Sequence, residues 1–269
     1  MTNRLTFLSV VSLTLAMTFA FVLASSVPTA GATSFVTESD LEVGDLIRGE
    51  SFTAVYYYGE DGFRYVFPND KTYFTWYDNF DDVRWLEDSD MSDIQIGGNV
   101  TYKPGVKMIK ITSDPKVYTV GAGGEIRAIP SETVATELYG SSWNTMIDDV
   151  PDGFFPNYDL GSELEFASQF DADAEEAGAW NIGHNKSLEG YTTVYLSDSS
   201  FDSVTIDAGT AVRFINNGDV KVGASADDKS WGTGTLNADE NFSKYFDEAD
   251  DYDFHDKYDS GNVGTITVE

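Results

Sequence analysis

A chain of 269 residues with a formal net charge of −30 and no cysteine is restricted in what it can do. The charge excludes nucleic acid as a general partner, because 16 Lys and Arg residues stand against 46 Asp and Glu residues and leave nothing to neutralise phosphates. Without cysteine there is no thiol nucleophile, no thiolate metal ligand and no disulfide. Dense carboxylates remain hydrated at high salt, so a halophilic origin explains most of the acidic residues without a specific function.

The first element is an apolar stretch from about Leu5 to Leu23, preceded by Arg4 and followed by Ala30-Gly31-Ala32. A positive start, an apolar centre and a small-residue end are typical of a secretory signal peptide, here over residues 1–32. An uncleaved membrane anchor is the alternative, since about 20 apolar residues span a bilayer. We expect an exported protein, extracellular or at the cell surface, with no membrane contact beyond this segment.

Residues 33–161 contain a degenerate internal repeat with a period of 62 residues. In the first copy residues 55–62 lead to Pro68, and in the second copy residues 117–124 lead to Pro130. Each copy has an aromatic and β-branched strand, a Gly-containing turn and a return strand that ends at Pro, which predicts a β-hairpin.

A short helix is predicted after each hairpin, over residues 72–76 in the first copy and from Glu132 in the second. Ser131 is the expected N-cap of the second helix and Gly140 its C-terminal stop. The hairpin over residues 65–69 and the tail over residues 143–155 resemble uncharacterised repeat modules of predicted microbial surface proteins. That resemblance implies no chemistry, and we expect a small β-rich domain with two related halves.

Residues 162–190 are predicted as an acidic linker. They include the run from Asp171 to Gly178, which is rich in Asp, Glu and Ala. Such a run is typical of an exposed, helix-like connection. His184, within the same segment, is expected to face solvent.

Residues 191–269 show short apolar segments with period two, divided by Gly, Asn and Asp turns. This pattern predicts an antiparallel Greek-key β-sandwich. The fold class expected for the whole chain is therefore mainly β. The predicted strands are residues 192–196, 203–206, 211–216, 241–246, 250–254 and 264–268.

The residues of this third region resemble a plastocyanin-type cupredoxin over nearly all of residues 191–269. The resemblance rests on the order and spacing of five motifs, which lie at residues 204–217, 234–236, 242–246, 252–255 and 264–268. It implies a sandwich with a type 1 copper at one end, held by two imidazoles, a thiolate and a weak axial thioether.

Position by position, the resemblance places the four copper ligands on Val222 or a near neighbour, Asp256, Asp259 and Asn262, so none of the ligands is present. The missing thiolate argues against electron transfer, since no other cysteine is available to replace it. His255 is a weak metal candidate together with Asp256 or Asp259, and a structural role is its default interpretation. We expect no cofactor, with copper disfavoured.

Calcium remains open as a ligand, because Asp88, Asp90 and Asp93 place carboxylates close together in the chain. The run lacks the central Gly and the distal Glu of an EF-hand, so a helix start or a solvated turn is favoured. Tyr57, Trp76 and Trp85 are candidate binding residues, since aromatic platforms stack sugars and partner side chains. Burial in a cysteine-free core is the alternative for these aromatics.

No catalytic residues are predicted. Two histidines, no cysteine and no Gly-x-Ser-x-Gly motif give no support for a nucleophilic triad, and with 46 acids any carboxylate pair is uninformative. The sequence favours a non-enzymatic secreted or cell-surface protein with a cupredoxin-like scaffold domain and an unknown protein or glycan partner. The alternatives are a divergent cupredoxin that binds copper or transfers electrons, and a carbohydrate-binding adhesin.

Overall fold

The structure is a computed structural model that describes residues 34–269, so the predicted signal peptide lies outside the described residues. The described chain has 18 short strands and five short α-helices, and the mainly β class is confirmed. No helix between residues 34 and 269 is long and apolar enough to cross a membrane.

The first sheet has six strands in the order β1-β5-β2-β3-β4-β6. Helix α1 (Asp70–Trp76) follows β4, and α2 (Asp88–Asp93) follows β5. The strands are β1 (Phe35–Val36), β2 (Leu46–Gly49), β3 (Tyr56–Tyr58), β4 (Arg64–Val66), β5 (Val83–Leu86) and β6 (Ile96–Asn99).

The second sheet has five strands in the order β10-β7-β8-β9-β11, with helix α3 (Glu132–Tyr139) after β9. The strands are β7 (Met108–Ile111), β8 (Tyr118–Val120), β9 (Glu125–Ala128), β10 (Ile147–Val150) and β11 (Asp159–Leu160).

The predicted hairpin repeat is present and is part of a larger repeat. Tyr56 pairs with Val66 in the first hairpin, and Tyr118 pairs with Ala128 at the same register 62 residues later. The strand order β5-β2-β3-β4-β6 is matched by β10-β7-β8-β9-β11, so the repeat is a whole five-stranded sheet. We call β2–β6 with α1 and α2 the first repeat, and β7–β11 with α3 the second repeat.

The turns and helices also recur at the same offset. Gly62 and Gly124 both have a left-handed backbone, with φ of 77° and 84°, which a side chain rarely permits. The side chains of Asn69 and Ser131 cap the helices α1 and α3 by accepting a backbone N–H. The helix predicted from Glu132 ends where Gly140 was expected to stop it.

The segment predicted as an acidic linker is packed along part of its length. It contains helix α4 (Ala172–Gly178), which is largely exposed and agrees with the helix-like connection, and α5 (Ile182–Asn185). Leu164 and Phe170 pack with the second repeat, and Ile182 lies in the core of the first repeat. Burial of these apolar residues ties the segment to both repeats, so it is not a free connection.

The C-terminal residues form a sandwich of two sheets, in the orders β12-β14-β16 and β13-β18-β17-β15. Its strands are β12 (Thr192–Leu196), β13 (Val204–Ile206), β14 (Thr210–Asn216), β15 (Ala224–Ala226), β16 (Asn241–Phe246), β17 (Asp251–Asp256) and β18 (Val263–Val268). All six predicted strands are present within two residues of their predicted ends, and β15 was not predicted. We call residues 191–269 the sandwich.

Two pairings in the sandwich are parallel, β12 with β14 and β13 with β18, where the sequence predicts antiparallel neighbours. The reason is that the chain crosses to the other sheet between β12 and β14, so these two strands run in the same direction. The sheets are therefore mixed.

Strand β14 is buried on both faces, and this burial fixes the sandwich to the first repeat. Val212 and Phe214 point into the sandwich core, while Ala211 belongs to the core of the first repeat and Arg213 contacts Tyr58 there. A strand that is apolar on one face and joined to a neighbour by the other cannot move independently of it. The sandwich and the first repeat thus share an interface.

Candidate functional site

The sandwich end that the resemblance assigns to copper is filled by the protein's own side chains. Val222 has no exposed surface and lies in the sandwich core. It forms an isolated bridge with Leu236, which is also buried. An aliphatic side chain at this position offers no ligand atom.

Asp256 and Asn262 are both buried, and hydrogen bonds within the chain occupy them. The Oδ1 of Asp256 accepts the backbone N–H groups of both Gly223 and Tyr258, each at 3.1 Å. The Nδ2 of Asn262 donates to the carbonyl oxygen of Asp198 at 3.2 Å. These bonds tie together the loops at this end, a structural use of the two polar groups.

Asp259 is exposed, and its carboxylate accepts the backbone N–H of Gly261 at 3.0 Å, as in a local turn. His255 and Asp256 are consecutive on β17, so their side chains point to opposite faces of the sheet. The Nδ1 of His255 lies 2.6 Å from a carboxylate oxygen of Asp227 instead. Strand alternation therefore separates His255 from Asp256, and the carboxylate beside its imidazole is that of Asp227.

A type 1 copper does not fit these residues. The thiolate is missing, the first imidazole position is aliphatic, and the three polar positions are already hydrogen-bonded within the chain. Among residues 34–269, no three or more His, Cys, Asp or Glu side chains are placed to hold a metal ion together.

The Asp88–Asp93 run forms helix α2, in agreement with the helix interpretation. Side chains two residues apart on a helix point about 200° apart, so Asp88 and Asp90 diverge. Asp88 accepts the backbone N–H of Ser51 at 3.1 Å. Asp90 and Asp93, three residues apart, line one pocket together with Glu38 and Glu240, and calcium at this run stays a prediction.

The three candidate binding aromatics do not form one exposed patch. Tyr57 is 1% exposed, and its hydroxyl accepts the backbone N–H of Gly183 in helix α5. Trp76 is half-buried against the same core. Its Nε1 donates to the carbonyl of Thr101 at 2.9 Å.

Trp85 is also half-buried, and the guanidinium of Arg48 covers its ring at 3.9 Å from the centroid. A ring face that is already used by a cation is not free for a sugar. Burial in a core, the alternative given for these aromatics, describes Tyr57, whereas Trp76 packs only partly against that core and Trp85 is half-buried beneath Arg48.

A buried carboxyl group that was not singled out from the sequence joins the first repeat to the sandwich. Asp61 has no exposed surface and sits at the tip of the first hairpin. The hydroxyls of Tyr65 and Tyr245 both donate to its Oδ2, and the backbone N–H of Phe63 donates to Oδ1 at 3.2 Å. Tyr245 comes from β16 of the sandwich and stacks on Phe63 with ring centroids 5.0 Å apart.

Burial shifts the pKa values of two side chains beside Asp61, those of Tyr65 and Lys186. Burial, followed by the hydrogen bonds to Asp61 and Tyr245, raises the pKa of Tyr65 well above its ordinary range. Lys186 lies over the Tyr65 ring at 5.1 Å, and burial lowers its pKa while the Asp61 charge opposes that shift. We call these four side chains (Asp61, Tyr65, Tyr245 and Lys186) the Asp61 cluster.

A second polar contact crosses the same interface. Arg213 of β14 is buried and donates to the hydroxyl of Tyr58 at 3.0 Å and to the carboxylate of Glu38. Glu38 also accepts the Nδ2 of Asn241 at 2.7 Å. Burial alone would lower the pKa of Arg213, but the Glu38 charge and the Tyr58 contact outweigh it and raise the pKa. The pair is a buried, hydrogen-bonded ion pair.

No family model matches the chain, and no curated protein matches it. A purple cupredoxin from Nitrosopumilus maritimus is 18% identical, with a TM-score of 0.28 over 29% of this chain and 99% of that one.

A copper-containing nitrite reductase from Thermus scotoductus is 24% identical, with a TM-score of 0.28 over 30% of this chain and 23% of that one. A copper(I) amicyanin mutant is 19% identical, with a TM-score of 0.28 over 30% of this chain and 85% of that one. Each of these three solved structures is similar to 30% of this chain or less, at an identity of 24% or less and a TM-score of 0.28.

Proposed function

We propose that the protein is an exported, non-enzymatic cell-surface or secreted protein whose sandwich is a scaffold that does not bind type 1 copper. One observation carries the proposal, namely the filled end of the sandwich. There Val222 is fully buried, and Asp256 and Asn262 hold backbone groups of neighbouring loops. Side chains that complete a core and a hydrogen-bond network stabilise a fold without a metal.

The shared interface supports a scaffold role as well. Each buried contact between the first repeat and the sandwich, at Asp61 and at Arg213, joins residues more than 150 positions apart in the sequence. Such contacts fix the orientation of one module against the other, which a presenting scaffold requires. A partner, protein or glycan, would then meet a rigid surface.

The alternative is a divergent cupredoxin that binds copper through other residues. The experiment is a titration of the purified protein with Cu(II), followed by visible absorption and by equilibrium dialysis. We expect no thiolate charge-transfer band and no stoichiometric binding. Weak binding that disappears in His255→Ala identifies the exposed imidazole near Asp227 as its source. Stoichiometric, tight copper that persists in His255→Ala would overturn the proposal.

A further inference from the structure

A pocket of about 420 Å³ opens where the first repeat meets the tail of the second. Its volume lies within the range of about 300–1,000 Å³ that is usual for ligand sites. Residues 53–55, residues 66–68 and the start of α1 contribute most of its lining. Phe80, which follows α1, and Phe154, which follows β10, complete the lining. We call this the Phe80 pocket.

Four aromatic residues line the Phe80 pocket, namely Phe67, Tyr73, Phe80 and Phe154. Phe67 and Tyr73 are buried, whereas Phe80 is 47% exposed. The ring of Phe80 stacks on Tyr73 with centroids 4.3 Å apart, and the exposed Phe74 meets it edge to face at 5.2 Å. Neighbouring large apolar side chains that remain in contact with water are typical of an interaction site, whereas a single exposed one is not.

The second repeat shows that the repeat fold does not need this lining. At the offset of 62 residues, smaller side chains stand in place of Phe67, Tyr73 and Phe80. They are Ile129, Ala135 and Ser142. The hairpin register and the cap of the following helix are nevertheless the same in both repeats. An exposed phenylalanine where the other repeat has a serine is therefore not required to form the repeat, and we look for its use in binding.

The charge of the lining is negative. Among the described residues that line the Phe80 pocket, Asp70 is the one charged residue, and it is exposed. Its Oδ1 accepts the backbone N–H of Lys71 at 2.9 Å, which leaves Oδ2 as an acceptor. The ammonium of Lys71 is paired with Asp148 at 3.3 Å. The start of α1 carries a partial positive charge, which the full charge of Asp70 outweighs.

Two further carboxylates extend the negative charge beyond the lining. Asp81 and Asp82 follow Phe80 directly and are exposed. Burial, followed by the charges of Asp82 and Asp81, raises the pKa of Tyr73, so both carboxylates act on a residue of the lining. An anionic ligand is disfavoured in such surroundings, and a cation beside the pocket is favoured.

The apolar walls and the carboxylates together decide the class of partner. An aromatic side chain gains by packing against other rings, and Lys or Arg beside it is attracted to the carboxylates. A small molecule seated among the lining residues would leave Asp81 and Asp82 unused, since they lie outside the lining. A peptide segment carries cations on both sides of a ring, so it uses the carboxylates inside and outside the pocket.

We propose that the Phe80 pocket binds a segment of a partner protein in which an aromatic side chain is flanked by Lys or Arg. The aromatic side chain packs against Phe80 and Phe154, and a flanking cation pairs with Asp70. The site names the chemistry of a partner and so rests on the scaffold function proposed above. Its failure would leave the proposed absence of copper binding unaffected, because peptide binding and copper binding are measured separately.

The test uses three fluorescein-labelled peptides with blocked ends, titrated with the purified protein at physiological salt and followed by fluorescence anisotropy. The first peptide is Lys-Lys-Phe-Lys-Lys, and we expect it to bind with a Kd of about 1 mM or tighter. Lys-Lys-Ala-Lys-Lys has the same charge without the ring and should bind about tenfold more weakly or less tightly still. Glu-Glu-Phe-Glu-Glu has the ring with the opposite charge and should not bind detectably.

Two pairs of variants locate the binding. Phe80→Ala should weaken the first peptide to nearly the affinity of the alanine peptide, whereas Phe166→Ala removes a phenylalanine that is 65% exposed beside Glu165 and should change nothing. Asp70→Asn should weaken the first peptide about two- to fivefold. Asp173→Asn, which removes an exposed carboxylate from the first turn of α4, should leave the affinity unchanged.

Circular dichroism shows whether each variant is folded. If Phe80→Ala is not, the comparison of the three peptides on the parent protein still decides the question. The proposal is overturned if the phenylalanine and alanine peptides bind alike, if the acidic peptide binds as tightly as the basic one, or if the affinity of the first peptide is the same in a folded Phe80→Ala variant.

Discussion

The Asp61 cluster predicts a large and specific loss of stability from one substitution. Asp61→Ala removes the acceptor of two phenol hydroxyls and one backbone N–H, in a place with no access to water for Asp61 itself. An orphaned buried donor costs about 1–3 kcal/mol, and Tyr245 is only partly buried, so its share is at the low end. We expect a loss of about 3–5 kcal/mol in the free energy of unfolding.

The assay is urea unfolding followed by far-UV circular dichroism and by tryptophan fluorescence. Two milder variants show how much of the lost stability comes from individual hydrogen bonds. Asp61→Asn keeps one acceptor oxygen and should lose about half as much, and Tyr245→Phe keeps the stacking on Phe63 and should lose about 1 kcal/mol. Because both tyrosines share one oxygen, Tyr65→Phe with Tyr245→Phe should deviate from additivity.

The matched control is Asp149→Ala, which removes an exposed carboxylate paired with Lys110 at the edge of the second sheet. A surface ion pair of this kind contributes about 0–1 kcal/mol. The interpretation of the Asp61 cluster is refuted if Asp61→Ala costs no more than Asp149→Ala.

Three further predictions concern packing, alkaline pH and charge. Gly105 has φ of +75°, and a Cβ there would overlap the carbonyl oxygen of Ala172, whereas Gly140 has φ of +78° with open space around it. Gly105→Ala should therefore lose at least about 1 kcal/mol more stability than Gly140→Ala in the same urea assay. Burial raises the pKa of Tyr139 to about 12, from the ordinary value near 10. The folded state thus holds this proton more tightly than the unfolded chain. Its contribution is complete below about pH 10 and is lost as pH rises through about 12. The part of the phenolate absorbance that Tyr139→Phe removes should therefore appear above pH 10 and together with unfolding, and its appearance at or below pH 10 with the fold intact would contradict this. Burial, followed by neighbouring carboxylates, raises the pKa of Asp93, so its ionised form disfavours the fold at neutral pH. Asp93→Asn should raise the free energy of unfolding slightly at pH 7, by no more than about 0.5 kcal/mol since the residue is only half-buried. The gain, read from the urea midpoint, should shrink in 1 M salt and below the folded pKa. A lower midpoint at pH 7 would contradict it.

The strands of the sandwich were predictable because each one is short, alternating and bounded by Gly, Asn or Asp. The hairpins were predictable for a similar local reason, since Gly62 and Gly124 mark turns that need a left-handed backbone. Strands β2 and β7, which complete the repeat, carry fewer such signals. Their place in the sheets follows from their parallel pairing with β5 and β10, in which Leu46 pairs with Val83 and Met108 with Ile147, residues that are distant in the chain.

The interface between the first repeat and the sandwich was not predictable from local pattern. Asp61 looks like an ordinary turn residue in an Asp-Gly hairpin, and nothing nearby in sequence shows that Tyr245 will bind it. Arg213 offered one signal, because a charged residue inside the apolar run of β14 requires a partner. The composition of residues 162–190 concealed the buried Ile182, since the acidic run dominates the average.

The candidate binding aromatics show the same limit of prediction from local sequence. Tyr57, Trp76 and Trp85 were chosen by residue type and spacing, yet exposure depends on which face each strand or helix buries. Trp180, which is 68% exposed, lies between Ala179 and Ile182, which are both buried, so the acidic composition of the segment does not determine which of its apolar residues are exposed.

We propose that the sandwich is complete without a metal. The free energy of unfolding of the purified protein, measured after chelator treatment and again with excess Cu(II), tests this. A ligand present at 100 times its Kd stabilises the folded state by about 2.7 kcal/mol. We expect no gain in the free energy of unfolding with copper, and the same value after chelation. A gain of that size, reversed by the chelator and retained in His255→Ala, would contradict it.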